Sequence, residues 1–91
     1  MNGAGMGAGN CRQITASANL QNTQGRIIGI FVSTSTAGTI TVYDDSATGT
    51  TRKIVDTFSV SAGTWYSLPF CYINGLYIVI SGIVSATVAY K

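Results

Sequence analysis

Residues 26–33 read RIIGIFVS and residues 39–43 read TITVY, and these two stretches decide the fold. The first is a continuous apolar run, typical of a strand that is buried on both faces. The second alternates, with aliphatic side chains on one side and hydroxyl or phenol side chains on the other, as in a half-buried strand. Residues 34–38 between them predict a turn, and Gly29 predicts a bulge or a close backbone approach.

The same period-two pattern recurs on both sides of these two strands. Further strand-length segments lie at residues 12–18, 51–60, 64–68, 70–73, 76–81 and 83–90. Small polar turns separate them; Asn74-Gly75 is the strongest hairpin signal, whereas Pro69 ends a strand or marks a sheet edge. Seven or eight short antiparallel strands predict an all-β fold, a small β-sandwich of jelly-roll or immunoglobulin-like type, with a small barrel as the alternative.

The inward positions of these strands predict the hydrophobic core, because no window shows the 3.6-residue periodicity of a capped helix. The predicted core comprises Ile28, Ile30, Val32, Ile40, Val42, Phe58, Val60, Leu68, Leu76, Ile78, Ile80, Val84 and Val88.

The chain begins with a glycine-rich segment, MNGAGMGAGN. Glycine loses more backbone entropy on ordering than any other residue, and fixing one residue costs about 1–2 kcal/mol, so this segment cannot stabilise itself. We therefore predict an extended N-terminal arm, residues 1–11, which a neighbouring protein surface holds, followed by a β domain, residues 12–91. The partner-binding residues predicted in the arm are Met1, Asn2, Met6 and Asn10.

The composition favours an assembly. A chain of 91 residues makes one small domain, and such a domain buries only about 60–65% of its unfolded surface. Charged residues make up 9% of the chain, against about 25% in average proteins. A surface so poor in charge is typical of contact with protein, so we expect a homo-oligomer; the alternative is a neutral surface of Ser and Thr.

The net charge of +2 comes from basic residues scattered along the chain, whereas nucleic-acid-binding domains concentrate them on one face. No segment reaches the roughly 20 apolar residues of a membrane helix, and the N-terminus lacks the pattern of a signal peptide. We therefore expect no direct nucleic-acid partner, no membrane partner and synthesis in a cytoplasm.

The sequence also argues against an enzyme. It has no His and no Glu, and its three acidic residues are Asp44, Asp45 and Asp56. Adjacent Asp44 and Asp45 splay apart in a turn and cannot face one shared bond, and their loop lacks the ligand spacing of a calcium site. The glycines of the arm follow no strand and precede no helix, so they do not form a phosphate loop. We predict no catalytic residue, no cofactor and no metal.

The two cysteines, Cys11 and Cys71, are too few and too far apart for a zinc ribbon or a CxxC motif. Either both are reduced thiols, or Cys11 forms a disulfide with Cys71 or with another subunit.

Trp65, Tyr66 and Tyr72 are grouped around one predicted turn. Tyrosine and tryptophan are common anchors of protein interfaces, so we predict that these three bind a partner. Two alternatives remain: exposed aromatics that stack on sugars, and a structural role in which Trp65 and Phe70 close the end of the core.

Four stretches carry a resemblance to a known type of protein: GRIIGIFVSTSTAGTITVYDD (25–45), DTFSVSAGTWYSLPF (56–70), NGLYIVISG (74–82) and SATVAYK (85–91). Together they resemble small all-β virion proteins of tailed bacteriophages, over residues 25–91. These shared patterns are strands and turns, so the resemblance implies no catalytic residue.

The resemblance implies a capsid decoration, or cement, protein in the virion, made in the host cytoplasm. Its partners would be the major capsid protein or other virion proteins, and an oxidising virion surface would permit the disulfide. The alternatives are a carbohydrate-binding or host-adhesion module, and a structural component of the neck or tail.

Overall fold

A computed structural model describes residues 9–91, which contain six strands and no helix. The strands are β1 (Asn10–Ile14), β2 (Ala18–Gln21), β3 (Gly25–Asp44), β4 (Lys53–Ser59), β5 (Thr64–Tyr72) and β6 (Leu76–Tyr90). They form one antiparallel sheet, which confirms the all-β prediction. Within this part of the chain, no helix is long and apolar enough to cross a membrane. Met1, Asn2 and Met6 lie outside the described residues.

Two long central strands, β3 and β6, pair along almost their whole length. On the free edge of β3, β5 pairs with residues 25–32 and β4 with residues 39–43. On the free edge of β6, β1 pairs with residues 86–90 and β2 with residues 76–78. The sheet therefore has two four-stranded halves, called here the β1–β5 half and the β2–β4 half after their edge strands.

A bulge joins the two halves where a turn was predicted. The pairing of β3 with β6 shifts register between Thr36 and Thr39, and Ala37 and Gly82 have positive φ angles of 51° and 81°. The predicted strands 26–33 and 39–43 thus continue into each other as β3, and β6 likewise joins two predicted strands across Gly82. The prediction of seven or eight short strands was wrong for this reason.

The bent sheet brings the two ends of β3 together. Twenty extended residues span about 66 Å, yet the longest dimension of the molecule is 38 Å. Tyr72 lies opposite Gly25 at one end of β3, and Leu76 lies opposite Asp44 at the other end. The short connection 73–75 joins these positions, so the two ends of β3 lie close together in the bent sheet.

The core is a single cluster that draws on both halves. Its buried members are Ile14, Ile27, Ile30, Val32, Ile40, Val42, Val60, Leu68, Tyr72, Leu76, Ile78, Val84, Ala86, Val88 and Tyr90. Most of the predicted core is confirmed. Ile27 replaces Ile28 because the register of β3 shifts between Ile27 and Gly29, and Phe58 and Ile80 pack against the core while only partly buried.

Pro69 lies in β5, which pairs only with β3 among the described residues. The prediction that Pro69 marks a sheet edge is therefore confirmed. The Asn74-Gly75 hairpin prediction was wrong: these residues lie in the connection between β5 and β6, but among the described residues β5 pairs only with β3, so β5 and β6 do not form a hairpin. Asn10 and Cys11, which the sequence assigned to the arm, belong to β1.

Candidate functional site

The alternation along β6 defines an outer face of the sheet. Val84, Ala86 and Val88 are buried, so the odd-numbered residues between and beyond them point away from the core. Residues directly opposite each other in an antiparallel pair lie on the same side. The register of the sheet therefore assigns the partners of Thr87 and Ala89 on the neighbouring strands to the same outer face.

Two rows of outer-face residues cross all four strands of the β1–β5 half. The first row is Cys11, Ala89, Gly29 and Ser67, and the second row is Gln13, Thr87, Phe31 and Trp65. We call these eight residues the outer patch. None of them is charged, whereas solvent-facing sheet surfaces of soluble proteins normally carry charges for solubility.

The indole of Trp65 lies over Gly29. A Cβ atom placed on Gly29 would come within 2.4 Å of Cζ2 and 2.5 Å of Cη2 of Trp65. The glycine predicted to allow a close approach thus lets the indole lie against the sheet. Trp65 still exposes 50% of its surface, and its cross-strand neighbour Phe31 exposes 41%. Exposed aromatics on an uncharged sheet are typical of a protein-binding surface.

A basic margin borders the outer patch. Arg26 and Lys91 exchange two backbone hydrogen bonds, of 3.1 and 2.8 Å, and Arg26 also lies opposite Cys71. All three residues are exposed. We call Arg26 and Lys91 the basic margin, because their cationic side chains border the first row of the patch.

The charges of the molecule are segregated between the two halves. Arg12, Arg26 and Lys91 belong to the β1–β5 half or its end. All three acidic residues of the chain lie in the β2–β4 half or its loops, as do Arg52 and Lys53. The outer patch and its margin therefore lie in a half that has basic side chains and no acidic side chain.

Tyr66 and Tyr72 do not join Trp65 in one cluster, so the predicted three-aromatic platform is corrected. Tyr66 packs edge-to-face on Phe58, with ring centroids 5.4 Å apart, and its hydroxyl accepts a hydrogen bond from the Ser61 N–H. Neighbouring residues of a strand point to opposite faces, so Tyr66 turns towards the core side while Trp65 points outward. Phe70 is exposed rather than closing the core.

Tyr72 is a core residue, 1% exposed. Its hydroxyl hydrogen-bonds the side chain of Gln21 and lies 3.0 Å from the carbonyl oxygen of Lys91. Burial, and secondarily the nearby Tyr90, raise the pKa of Tyr72 to about 12. The residue therefore links the two halves and is unavailable to a partner, contrary to its prediction as a binding residue.

Both thiols are free and exposed. Cys11 is on β1 and Cys71 is on β5, with β6 and β3 between them. Three inter-strand steps of about 4.8 Å each exceed the roughly 4.4–6.8 Å that a disulfide allows between Cα atoms. A disulfide between Cys11 and Cys71 within one chain is thus excluded in this fold.

The carboxylate of Asp44 organises the β5–β6 connection. It accepts hydrogen bonds from the backbone N–H groups of Ile73, Asn74 and Gly75, at 3.1, 2.7 and 3.2 Å. Burial acts to raise the pKa of Asp44, but these three N–H groups and the charge of Arg52 outweigh it and lower the pKa below 3.8. Asp44 therefore has a structural role.

The other two carboxylates also have local partners. Asp45 accepts the N–H groups of Gly49 and Ala47, which lower its pKa. Asp56 pairs with Lys53 at 2.9 Å, and this hydrogen bond lowers the pKa of Asp56. Within residues 9–91, no three metal-ligating side chains come together.

Sequence reasoning found Trp65 but missed the residues around it. Phe31, Thr87 and Ala89 become neighbours of Trp65 only through the register of β3 with β5 and β6. The apolar run RIIGIFVS predicted a strand buried on both faces. This prediction was wrong for Phe31, which is exposed on the outer face. Asn10, predicted to bind a partner, is exposed at the start of β1, opposite Tyr90.

Comparison of this chain with protein-family models, curated proteins and solved structures finds no match in any of the three.

Proposed function

We propose that this chain is a structural virion protein of a tailed bacteriophage, a capsid decoration protein that binds the shell through the outer patch. The observation that carries the proposal is the pair of uncharged rows across the β1–β5 half, with Trp65 half exposed on them. The resemblance of residues 25–91 to small all-β virion proteins supports the same function. In this proposal the bent sheet is a small β-sandwich, with one half facing the partner.

Burial of the outer patch would supply the binding energy. Removing apolar surface from water contributes about 25 cal/mol per Å², and stable interfaces bury about 1,200–2,000 Å² in total. The patch is one side of a small domain, so contacts by residues 1–11 would enlarge the interface. Several copies arranged symmetrically on a shell would add their weak contacts through effective concentration.

A carbohydrate-binding function is the second candidate, because a half-exposed indole can stack on a sugar ring. The outer patch offers only hydroxyl, amide and thiol groups beside Trp65, and no carboxylate. Specific ligand sites are concave, whereas the two rows lie across an open sheet face. A protein surface therefore fits the patch better than a glycan.

The test uses particles of the phage that encodes this chain, prepared without it. Purified wild-type protein is expected to co-sediment with these particles, and Trp65→Ser is expected to reduce the bound fraction about tenfold. Ile73→Ser is the matched control, because Ile73 is also an exposed apolar residue but lies in the β5–β6 connection, outside the patch. Equal binding of the wild type and Trp65→Ser would contradict the proposal.

A further inference from the structure

The charge pattern around the outer patch indicates what its partner must carry. Resting on the proposed function, we infer that the patch docks an acidic segment of a partner protein. Carboxylates of that segment pair with Arg26 and Lys91, and an apolar side chain packs between Trp65 and Ala89.

The cations of the basic margin have no acidic side chain within their own half. Within residues 9–91 the only ion pair joins Lys53 to Asp56, in the β2–β4 half. Asp44 and Asp45 are also in that half, where backbone N–H groups hold their carboxylates. No Asp side chain can therefore pair with Arg26 or Lys91 at the outer patch, whereas an acidic side chain of another molecule can.

The distance between the basic margin and the outer patch fits an extended partner segment. Lys91 and Ala89 are two residues apart along the same chain, which is about 7 Å in extended geometry. In an extended segment, residues i and i+2 lie on the same side at the same separation. An acidic residue two positions from an apolar residue would therefore place its carboxylate at the basic margin and its apolar neighbour on the patch.

A second copy of this chain, packed face to face, fits the patch poorly. A two-fold axis would bring two uncharged patches together with two basic margins and no acidic side chain between them. Such like-charge contacts oppose association. Nucleic acid fits poorly too, since it requires a broad basic surface, whereas this margin has two cations beside rows without charge.

The first experiment measures how variants of the basic margin bind to the same phage particles. Arg26→Glu is expected to weaken co-sedimentation about tenfold, because it replaces an attraction by a repulsion. Arg52→Glu is the matched control: it makes the same charge change on an exposed arginine of the other half. Equal binding of Arg26→Glu and wild type, or equal losses for the two variants, would overturn the inference.

The second experiment uses a defined probe, a synthetic peptide that alternates Asp and Leu with Thr (Thr-Asp-Thr-Leu repeated), and its Lys-for-Asp counterpart. Trp65 is the only tryptophan of the chain, so its fluorescence reports on the patch alone. At about 50 mM salt, the Asp peptide is expected to change the emission saturably, and the Lys peptide is not. Equal responses to both peptides, or no response to either, would count against an acidic partner.

These results separate the inference from the proposed function. If Trp65→Ser abolishes particle binding while Arg26→Glu does not, the patch binds the particle but its partner is not acidic. If the Asp peptide binds selectively while Trp65→Ser co-sediments with the particles as well as the wild type does, the patch selects acidic segments but the decoration function is wrong.

Discussion

Gly29 determines where the side chain of Trp65 can lie, because Gly29 has no side chain of its own. The indole occupies the space above Gly29, where a Cβ would also approach the carbonyl oxygen of Tyr66 to 2.7 Å. The half-exposed indole thus contacts the backbone of the sheet at Gly29. This contact restricts the side chain and limits the entropy lost on binding.

Gly29→Ala should displace the indole of Trp65, because the methyl group of the alanine would overlap with the indole ring. We expect a red shift of the Trp65 emission, faster quenching by acrylamide, and a loss of about 1–2 kcal/mol in the free energy of unfolding from overpacking. Ser67→Ala, in the same row of the patch, serves as the control and should leave the emission unchanged. An unshifted spectrum in Gly29→Ala would show that the indole does not depend on the glycine.

Asp44→Asn should weaken the β5–β6 connection at neutral pH. The neutral amide is a poorer acceptor for the N–H groups of Ile73, Asn74 and Gly75, so we expect a loss of about 1–2 kcal/mol. Chemical denaturation measures this difference between the variant and the wild type.

The pH dependence gives a second measure of the same contact. Because the pKa of Asp44 is lowered from 3.8 in the folded state, the unfolded state binds more protons as the pH falls. The contribution of Asp44 is therefore present above pH 3.8 and is lost as the pH falls through the lower, folded-state pKa. The stability gap between wild type and Asp44→Asn should shrink in this range, and a gap that stays constant down to about pH 2 would refute the role.

At the scale of elements, the bulge in the two long strands determines the architecture. Gly82 lies where β6 bends, and a Cβ there would be 2.4 Å from the carbonyl oxygen of Ala37 on β3. Two backbones can approach this closely only without a side chain between them. The bend then lets one continuous pair of strands contribute to both halves of the core.

Gly82→Ala tests the close contact between the backbones of β6 and β3, and Gly63→Ala is its control. Both glycines have positive φ angles, 81° and 74°, but a Cβ added to Gly63 would meet no atom within 4 Å. Gly63→Ala should therefore cost only the conformational penalty of about 1 kcal/mol. Gly82→Ala should cost about 2–4 kcal/mol in urea unfolding, since overpacking adds to that penalty. Equal costs would mean that the close backbone approach contributes nothing.

Alternation along the chain predicted the strands well but not where they join. A run of Thr, Ser, Ala and Gly at 34–38 is typical of both a turn and a bulge. The run forms a bulge rather than a turn because β6 pairs with β3 on both sides of it. No local pattern contains that information, because the partner strand lies more than 40 positions away in the chain.

The candidate site was predictable in part, for the same physical reason. Trp65 and Tyr66 are adjacent in a strand, so their opposite orientations follow from the sequence alone. The burial of Tyr72 and the neighbourhood of Phe31 and Ala89 depend on register across three strands. Residue type therefore indicated Trp65 as a candidate anchor, and only the strand pairing shows which residues surround it.

At the scale of the whole molecule, the acidic side chains are confined to one half of the sheet. The β2–β4 half keeps its ion pair and its capped carboxylates in contact with solvent. The β1–β5 half has an uncharged patch with a basic margin and no acidic side chain. In the proposed function, the β1–β5 half would lie on the capsid and the β2–β4 half would face the solvent.

The most direct test of this account is hydroxyl-radical footprinting of the chain, free and bound to the phage particle. The oxidation rate of Trp65, read by mass spectrometry of its peptide, should fall several-fold on the particle, because the partner covers the indole. Ile73, 74% exposed in the β5–β6 connection, should be oxidised equally in both samples. Equal oxidation of Trp65 in the free and the particle-bound chain would contradict the account.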